Sequence, residues 1–234
     1  MSDPPGDSKK LWESIDREIE SDPIELGRHA SYEYVTDPKH LSFVASRYKF
    51  AAKLLAGRDA VIEIGCGDGF GTPFVASTVK RLICTDINPA LLEDTERRHA
   101  FVKNACYEYF DFRGSPYQPA VDAVYLVDVL EHVFLHEEAA FLSNISASLT
   151  DYGVALIGTP NKTAEQYASK WSKLAHVNLK TYDSLHALGL TYFHNVFMFG
   201  MNDEVVHTGY GPMCHYLWAL CVGPRRRGSR APDL

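Results

Sequence analysis

The segment Val61-Ile62-Glu63-Ile64-Gly65-Cys66-Gly67-Asp68-Gly69-Phe70-Gly71 constrains this chain more than any other. An apolar run breaks into closely spaced glycines, which reads as a buried strand delivering its end into a tight loop. Glycine takes positive φ without steric cost and lets backbone approach a ligand closely, so Gly65, Gly67 and Gly69 suit a loop pressed against a bound molecule. The spacing is G-x-G-x-G. A pyrophosphate-binding fingerprint wants G-x-G-x-x-G/A, and here the sixth place is Phe70. Glu63 points the same way, because a carboxylate repels phosphate but helps hold an ammonium group directly or through water. The loop therefore suits a nucleoside that carries an amino acid better than it suits a dinucleotide.

From residue 60 onward, strand-like and helix-like stretches alternate. Strands are expected near 60–65, 81–86, 105–110, 121–127 and 153–158, with helical stretches between most of them. That alternation demands a parallel sheet with helices on both faces. The last third changes character: residues 191–201 and 213–222 are rich in Tyr, Phe, Val and Leu, and a polar segment containing glycine joins them. They read as two long strands paired antiparallel at the sheet edge. Before the first strand, Leu11, Ile15 and Ile19 mark an amphipathic helix ending before Pro23, and Leu41, Val44, Ala45, Tyr48, Ala52 and Leu55 mark a second, from Pro38 to Ala56, stopped by Gly57.

Ligands of open α/β sheets bind outside the carboxyl ends of the strands, so chemistry is sought in the loops there. Asp86, at the tip of the second strand, stands where an acid accepts hydrogen bonds from both ribose hydroxyls. Asp111 and Phe112, after the third, pair an acceptor for an exocyclic amine with a flat apolar side chain, which suits adenine.

With these elements in this order, residues 58–161 resemble the class I S-adenosylmethionine-dependent methyltransferases, whose first motif E/D-x-G-x-G-x-G is matched from Glu63 to Gly69. The resemblance implies an α/β, Rossmann-like, seven-stranded and mostly parallel sheet with helices on both faces and an antiparallel C-terminal hairpin. It implies S-adenosyl-L-methionine as cofactor, held by Glu63, Gly65, Cys66, Gly67, Gly69, Asp86, Ile87, Asp111, Phe112 and Asp128. It divides the chain into an N-terminal helical cap (1–57), a methyltransferase domain (58–224) with a lid insertion at about 162–180, and a disordered tail (225–234). Cap segments of this kind lie over the cofactor and the substrate mouth in related methyltransferases.

The segment Asp128-Val129-Leu130-Glu131-His132 is similar to the E-x-x-E-H of ubiquinone-biosynthesis O-methyltransferases, with Asp replacing the first Glu. In those enzymes the motif residues are linked to a metal; His132 is also a candidate general base. The main reading assigns no metal; the alternative makes Asp128, Glu131 and His132 ligands on one face of a short helix. His176-Val177-Asn178 resembles an H-[IV]-N segment bordering the acceptor site in small-molecule methyltransferases, so His176 is the second catalytic candidate. Arg28, His29, Tyr34 and Arg47, from an N-terminal stretch dense in aromatic and basic residues, are candidates to grip an anionic acceptor group or the methionine carboxylate.

Composition narrows the acceptor. Thirty acidic against twenty-three basic residues give a formal net charge of −7, which supplies no general attraction to nucleic acid. Five cysteines in apolar surroundings, an odd count without C-x-x-C spacing, read as buried hydrophobes in a reducing compartment. No apolar run reaches membrane-spanning length and Met1-Ser-Asp-Pro-Pro-Gly-Asp lacks the parts of a signal peptide, so a cytoplasmic protein without a membrane partner is expected. The expected activity is methyl transfer to a small molecule at a hydroxyl oxygen. The acceptor is a sugar or phosphate-containing polysaccharide precursor, or a phenolic metabolite. The alternative is a non-catalytic domain that binds S-adenosylmethionine, a nucleotide or a partner.

Overall fold

The structure, a computed structural model, describes residues 7–19 and 23–226. Eight strands form one sheet: β1 (Ala60–Ile64), β2 (Arg81–Asp86), β3 (Ala105–Tyr109), β4 (Val121–Val127), β5 (Leu149–Pro160), β6 (Phe193–Asn202), β7 (Val205–His207) and β8 (Tyr216–Pro224). Their spatial order is β3-β2-β1-β4-β5-β8-β6-β7. Strands β1 to β5 are mutually parallel, and β8 runs antiparallel to both β5 and β6. This is the Rossmann-like methyltransferase fold with a reversed C-terminal strand. The sheet has eight strands where seven were expected. The extra one, β7, is only three residues long and lies in the polar segment that joins β6 to β8, too short to give a strand period.

Helices cover both faces. On one, α3 (Pro38–Leu55), α4 (Thr72–Ala76) and α5 (Pro89–Arg98) pack over Val61, Tyr125 and Trp218. On the other, α6 (Leu135–Ala147) and α8 (Tyr182–Tyr192) pack over Ile62, Ile64 and Leu126. Neighbouring residues of β1 thus serve opposite cores, as the two-residue period of a strand requires. Both central strands, β1 and β4, are apolar on each side because neither face meets water. Glu63 is the buried exception, a carboxylate on the α3 and α4 side.

Among the described residues, three helices precede β1, not two. Besides α1 (Ser8–Glu18) and α3, residues Arg28–Thr36 form α2. Its sequence RHASYEYVT has no clean apolar period, and its N-terminal donor is satisfied from far away: Ala30 N–H donates to Asp68 Oδ2 at 2.9 Å, so a carboxylate from the glycine turn caps the helix. Gly27, the residue before the helix, makes room for it, since a Cβ there would stand 2.2 Å from Asp68 Cβ. Helix α1 buries none of its residues, and Leu11, Trp12 and Ile19 are exposed, so this segment does not cover the sheet.

After β5 the chain makes a 3-10 turn (Lys162–Tyr167) and α7 (Lys170–Ala175), and Tyr167, Trp171 and Leu174 face solvent. Of the tail assigned to 225–234, Arg225 and Arg226 are anchored: Arg225 Nε donates to Leu190 O and Phe193 O, and Arg226 pairs with Asp151. Residues 1–6 and 227–234 lie outside the described residues.

Candidate active site

Strand β1 ends in a turn whose first three glycines take positive φ, 70° at Gly65, 55° at Gly67 and 74° at Gly69. Two consecutive amides, those of Gly65 and Cys66, donate to Thr85 O on β2, at 2.8 and 3.0 Å. Asp86 then grips the turn from the side. Its Oδ2 accepts from Gly67 N–H at 3.0 Å, and its Oδ1 accepts from Asn88 N–H at 2.9 Å. A Cβ on Gly65 would stand 2.6 Å from a Val129 methyl, whereas a Cβ on Gly67 would meet nothing within 4 Å. One glycine is needed for packing, and the other faces open space.

Beside the turn lies a cavity that brings together six of the residues singled out in the sequence: Gly65, Asp86, Ile87, Asp111, Phe112 and His132. Phe110 and Arg113 also line it and were not anticipated. Phe110 meets Phe112 edge-on with ring centroids 4.7 Å apart, giving the cavity an aromatic wall. Arg113 bridges Asp111 and Glu137, and its hydrogen bonds hold the Asp111 carboxyl below the usual range. Its signal in the sequence was its place two residues beyond Asp111, within side-chain reach of that carboxylate.

Other predicted residues fall outside the lining. Glu63 is buried beneath the turn, where its Oε2 accepts from Thr72 Oγ1 at 2.8 Å. Burial pushes it up to about 7 against the opposing pull of the Thr72 hydroxyl. Its Oε1 and the neighbouring Tyr125 hydroxyl have no hydrogen-bond partner among the described residues. Glu63 thus anchors the turn to α4 and is not presented to the cavity. Cys66 is also buried, with its thiol raised by the loss of solvent, and the position a Gly69 Cβ would take is closed by Thr95 and His99.

Arg28, His29 and Tyr34 sit exposed on α2 and do not line the cavity. Arg47, a candidate for gripping an acceptor anion, is already engaged. Its Nη1 donates to Asp128 Oδ2 at 2.6 Å, and its guanidinium lies 4.1 Å from the Tyr216 ring centre. Asp128, expected at the cofactor, is that ion pair's other half, held at φ 57° just past β4 and absent from the cavity lining.

His132 lines the cavity at the mouth of β4. Its Nδ1 lies 3.0 Å from Ala175 O; a carbonyl only accepts, so Nδ1 carries the proton and Nε2 keeps its lone pair. Glu131 is wholly buried, its Oε2 accepting from Thr159 Oγ1 at 3.0 Å, while Oε1 has no hydrogen-bond partner among the described residues and faces His132 Nε2 at 4.0 Å. Burial, aided by the charge of Asp128, holds Glu131 well above the usual carboxylate range. His176 is carried to the same place because Val177 N–H and Asn178 N–H both donate to Glu131 O, at 2.8 and 3.0 Å. The two imidazoles then stand with centroids 5.2 Å apart. Desolvation, and next the proximity of His132, lowers His176 below its ordinary range. Of the alternative ligand set Asp128, Glu131 and His132, only the last two lie together. Asp128 turns to Arg47, and His176 takes its place.

Residues 62–155 match a protein family described as "Methyltransferase domain". A probable S-adenosylmethionine-dependent methyltransferase of Mycolicibacterium smegmatis is 33% identical over 116 residues, 49% of this chain and 43% of that protein. The probable S-adenosylmethionine-dependent methyltransferase Rv3030 of Mycobacterium tuberculosis is 27% identical over 116 residues, covering 49% of this chain and 40% of that one. The chain thus spans less than half the length of these curated relatives. Among solved structures, the DhpI complex with S-adenosylhomocysteine superposes with a TM-score of 0.61 at 17% identity, over 85% of this chain and 93% of that one. The N-methyltransferase NodS from Bradyrhizobium japonicum superposes at 0.62 and 14%, over 92% and 98%. The CurJ carbon methyltransferase superposes at 0.56 and 14%, over 72% and 49%. At these identities the structural likenesses establish the fold. No helix among the described residues is long and apolar enough to cross a membrane.

Proposed function

We propose that this chain is an S-adenosylmethionine-dependent methyltransferase that methylates a small molecule, at a hydroxyl oxygen. The observation that carries the cofactor assignment is the glycine turn clamped to Asp86, with Gly67 facing open space and a carboxylate already aimed along the cavity edge. The methyltransferase family match over residues 62–155 and the named relatives support the same reading. Asp86 receives the ribose hydroxyls, Ile87 and Phe112 bracket the adenine, Asp111 accepts from its amine, and the turn backbone approaches the methionine part. Helices α2 and α3 act as a cap and the segment 162–180 as a lid.

When bound, the cofactor supplies an electrophilic methyl group on a sulfonium, and transfer is an in-line displacement that asks the protein mainly for alignment and dryness. An alcohol acceptor must also lose its proton. His132, with its Nε2 lone pair at the cavity wall and its Nδ1 proton fixed on Ala175, is placed to take it. This supports oxygen as the acceptor atom, although the same fold carries N- and C-methylation in NodS and CurJ.

Calorimetric titration with S-adenosylmethionine and S-adenosylhomocysteine tests the reading. Micromolar binding of both is expected, with no binding of NADH. Asp86→Ala removes a charged hydrogen-bond acceptor worth about 1.5 to 3 kcal/mol, a loss of roughly 10- to 150-fold in affinity. Unchanged affinity in that variant, or a wild-type protein that binds neither nucleoside, overturns the assignment.

A further inference from the structure

We propose that the outer edge of β6 is a dimer interface, at which two copies of this chain pair their β6 strands antiparallel about a two-fold axis centred on Phe197 and so join their sheets. Strand β6 is paired with β8 along its inner side, from Phe193 to Met201. On its outer side β7 covers only Gly200, Met201 and Asn202. Along residues 194–199 no strand among the described residues pairs with that side. In an antiparallel ladder alternate residues point N–H and C=O away from a given neighbour, so this stretch presents donors and acceptors to whatever lies beside it.

Open edges are ordinarily guarded by charged side chains or by proline, and this one has neither. The chain from Ser184 to Asn202, which contains all of β6, has no Asp, Glu, Lys, Arg or Pro, although 23% of the whole sequence is charged. The opposite edge strand, β3, carries Glu108. In the middle of the open stretch Phe197 is 54% exposed. A groove runs past it, lined by Val196, Phe197, Met198 and Phe199 together with Tyr182 and His186 of α8. Val196 and Met198 pack in the core beneath α8, whereas Phe199 meets Phe50 of α3 with ring centroids 5.6 Å apart. Side chains from opposite faces border one groove when it follows the backbone edge between them.

Symmetry selects a second copy as the occupant. A two-fold contact sets residue i opposite j and j opposite i. Directly opposed residues point their side chains to the same face, and an axis normal to the sheet keeps each face on its own side, so i and j share parity and the axis passes beside one residue. Residues 195–199 are open and symmetrical about Phe197. Centred there, the α3 side sets Phe197 against its own copy and Asn195 against Phe199, while the α8 side sets Val196 against Met198. No charge meets its like, and the exposed ring falls on the axis, where aromatic cross-strand pairs add to the backbone bonds. The edge lies three strands beyond β4, away from the cavity, so the interface does not depend on the methyltransferase reading.

The experiment is sedimentation velocity of the purified chain from about 1 to 100 µM, on the wild type and Phe197→Lys, with an oxidative cross-linking assay on Phe197→Cys. A wild-type dimer with a dissociation constant of about 10 µM or tighter is expected. Phe197→Lys sets two ammonium groups opposite each other on the axis and should weaken the dimer about tenfold or more, with the circular dichroism and melting of the wild type showing that it is folded. Phe197→Cys tests the register. Residues directly opposite on an antiparallel pair stand about 4.5 to 5.5 Å apart at Cα, within disulfide range, so mild oxidation should give a covalent dimer. Tyr152→Cys, at an exposed position on β5, should give none. A wild type that stays monomeric leaves the edge to some other partner and overturns the pairing of two copies. A dimer that Phe197→Lys leaves intact, or one that Phe197→Cys does not cross-link, overturns it as well.

Discussion

Glu63 makes a sharp prediction about pH. In the unfolded chain a glutamate titrates near 4.5; in the fold it is held at about 7, because burial disfavours the anion more than the Thr72 hydroxyl favours it. The folded pKa is raised, so the protonated group's contribution is fully present below pH 4.5. It declines as the unfolded state ionises and the folded state does not, and it is gone above about pH 7. The full interval corresponds to about 3 kcal/mol at 1.36 kcal/mol per pKa unit, of which roughly 2.5 kcal/mol falls between pH 5 and 8. Glu63→Gln keeps the volume and a carbonyl for the Thr72 hydroxyl, yet it cannot ionise. Urea unfolding at half-unit steps from pH 5 to 8 should therefore give a wild-type curve that falls relative to the variant's by about 2 to 3 kcal/mol. Titration of Glu131 and the histidines is common to both proteins and cancels in the difference. Parallel curves across the range would refute the buried-acid account of this residue.

Two other perturbations follow from the geometry. Gly27→Ala places a Cβ 2.2 Å from Asp68 Cβ, which forces α2 off the glycine turn; a loss of about 1 to 3 kcal/mol is expected in thermal unfolding, with faster amide exchange at Ala30. Arg47→Met strands the Asp128 carboxylate in a mostly buried setting and should cost about 3 kcal/mol, whereas adding Asp128→Asn should recover part of it; a double-mutant cycle showing no coupling would contradict the pairing.

The parts of this molecule that were legible in its sequence are those governed by short-range rules. The run from Val61 to Gly71 announces a buried strand and a turn needing positive φ at alternate places, and three such glycines stand there. Asp86, Asp111 and Phe112 follow from strand ends, because a parallel sheet gathers those ends on one side. What escaped depends on residues far apart. Helix α2 is completed by Asp68, 38 residues downstream, so its own letters do not describe it. Arg47 looked available until Asp128, 81 residues away, claimed it. His176 reaches His132 only because the backbone after it docks on the carbonyl of Glu131, an attachment no side-chain pattern records. The three-residue β7 was lost for a different reason, having less than two periods to show.

The two amides that hold Asp86 come from separate loops, one before α4 and one before α5. Its side chain is consequently frozen when the chain folds, and the entropy of choosing that rotamer is settled then. A hydroxyl-bearing ligand arriving later meets an acceptor that does not have to be immobilised, so more of each hydrogen bond it makes is retained as affinity. The same arrangement ties ligand grip to the integrity of the sheet edge: loosening either loop would surface first as a weaker, more entropically costly association, before any loss of the fold.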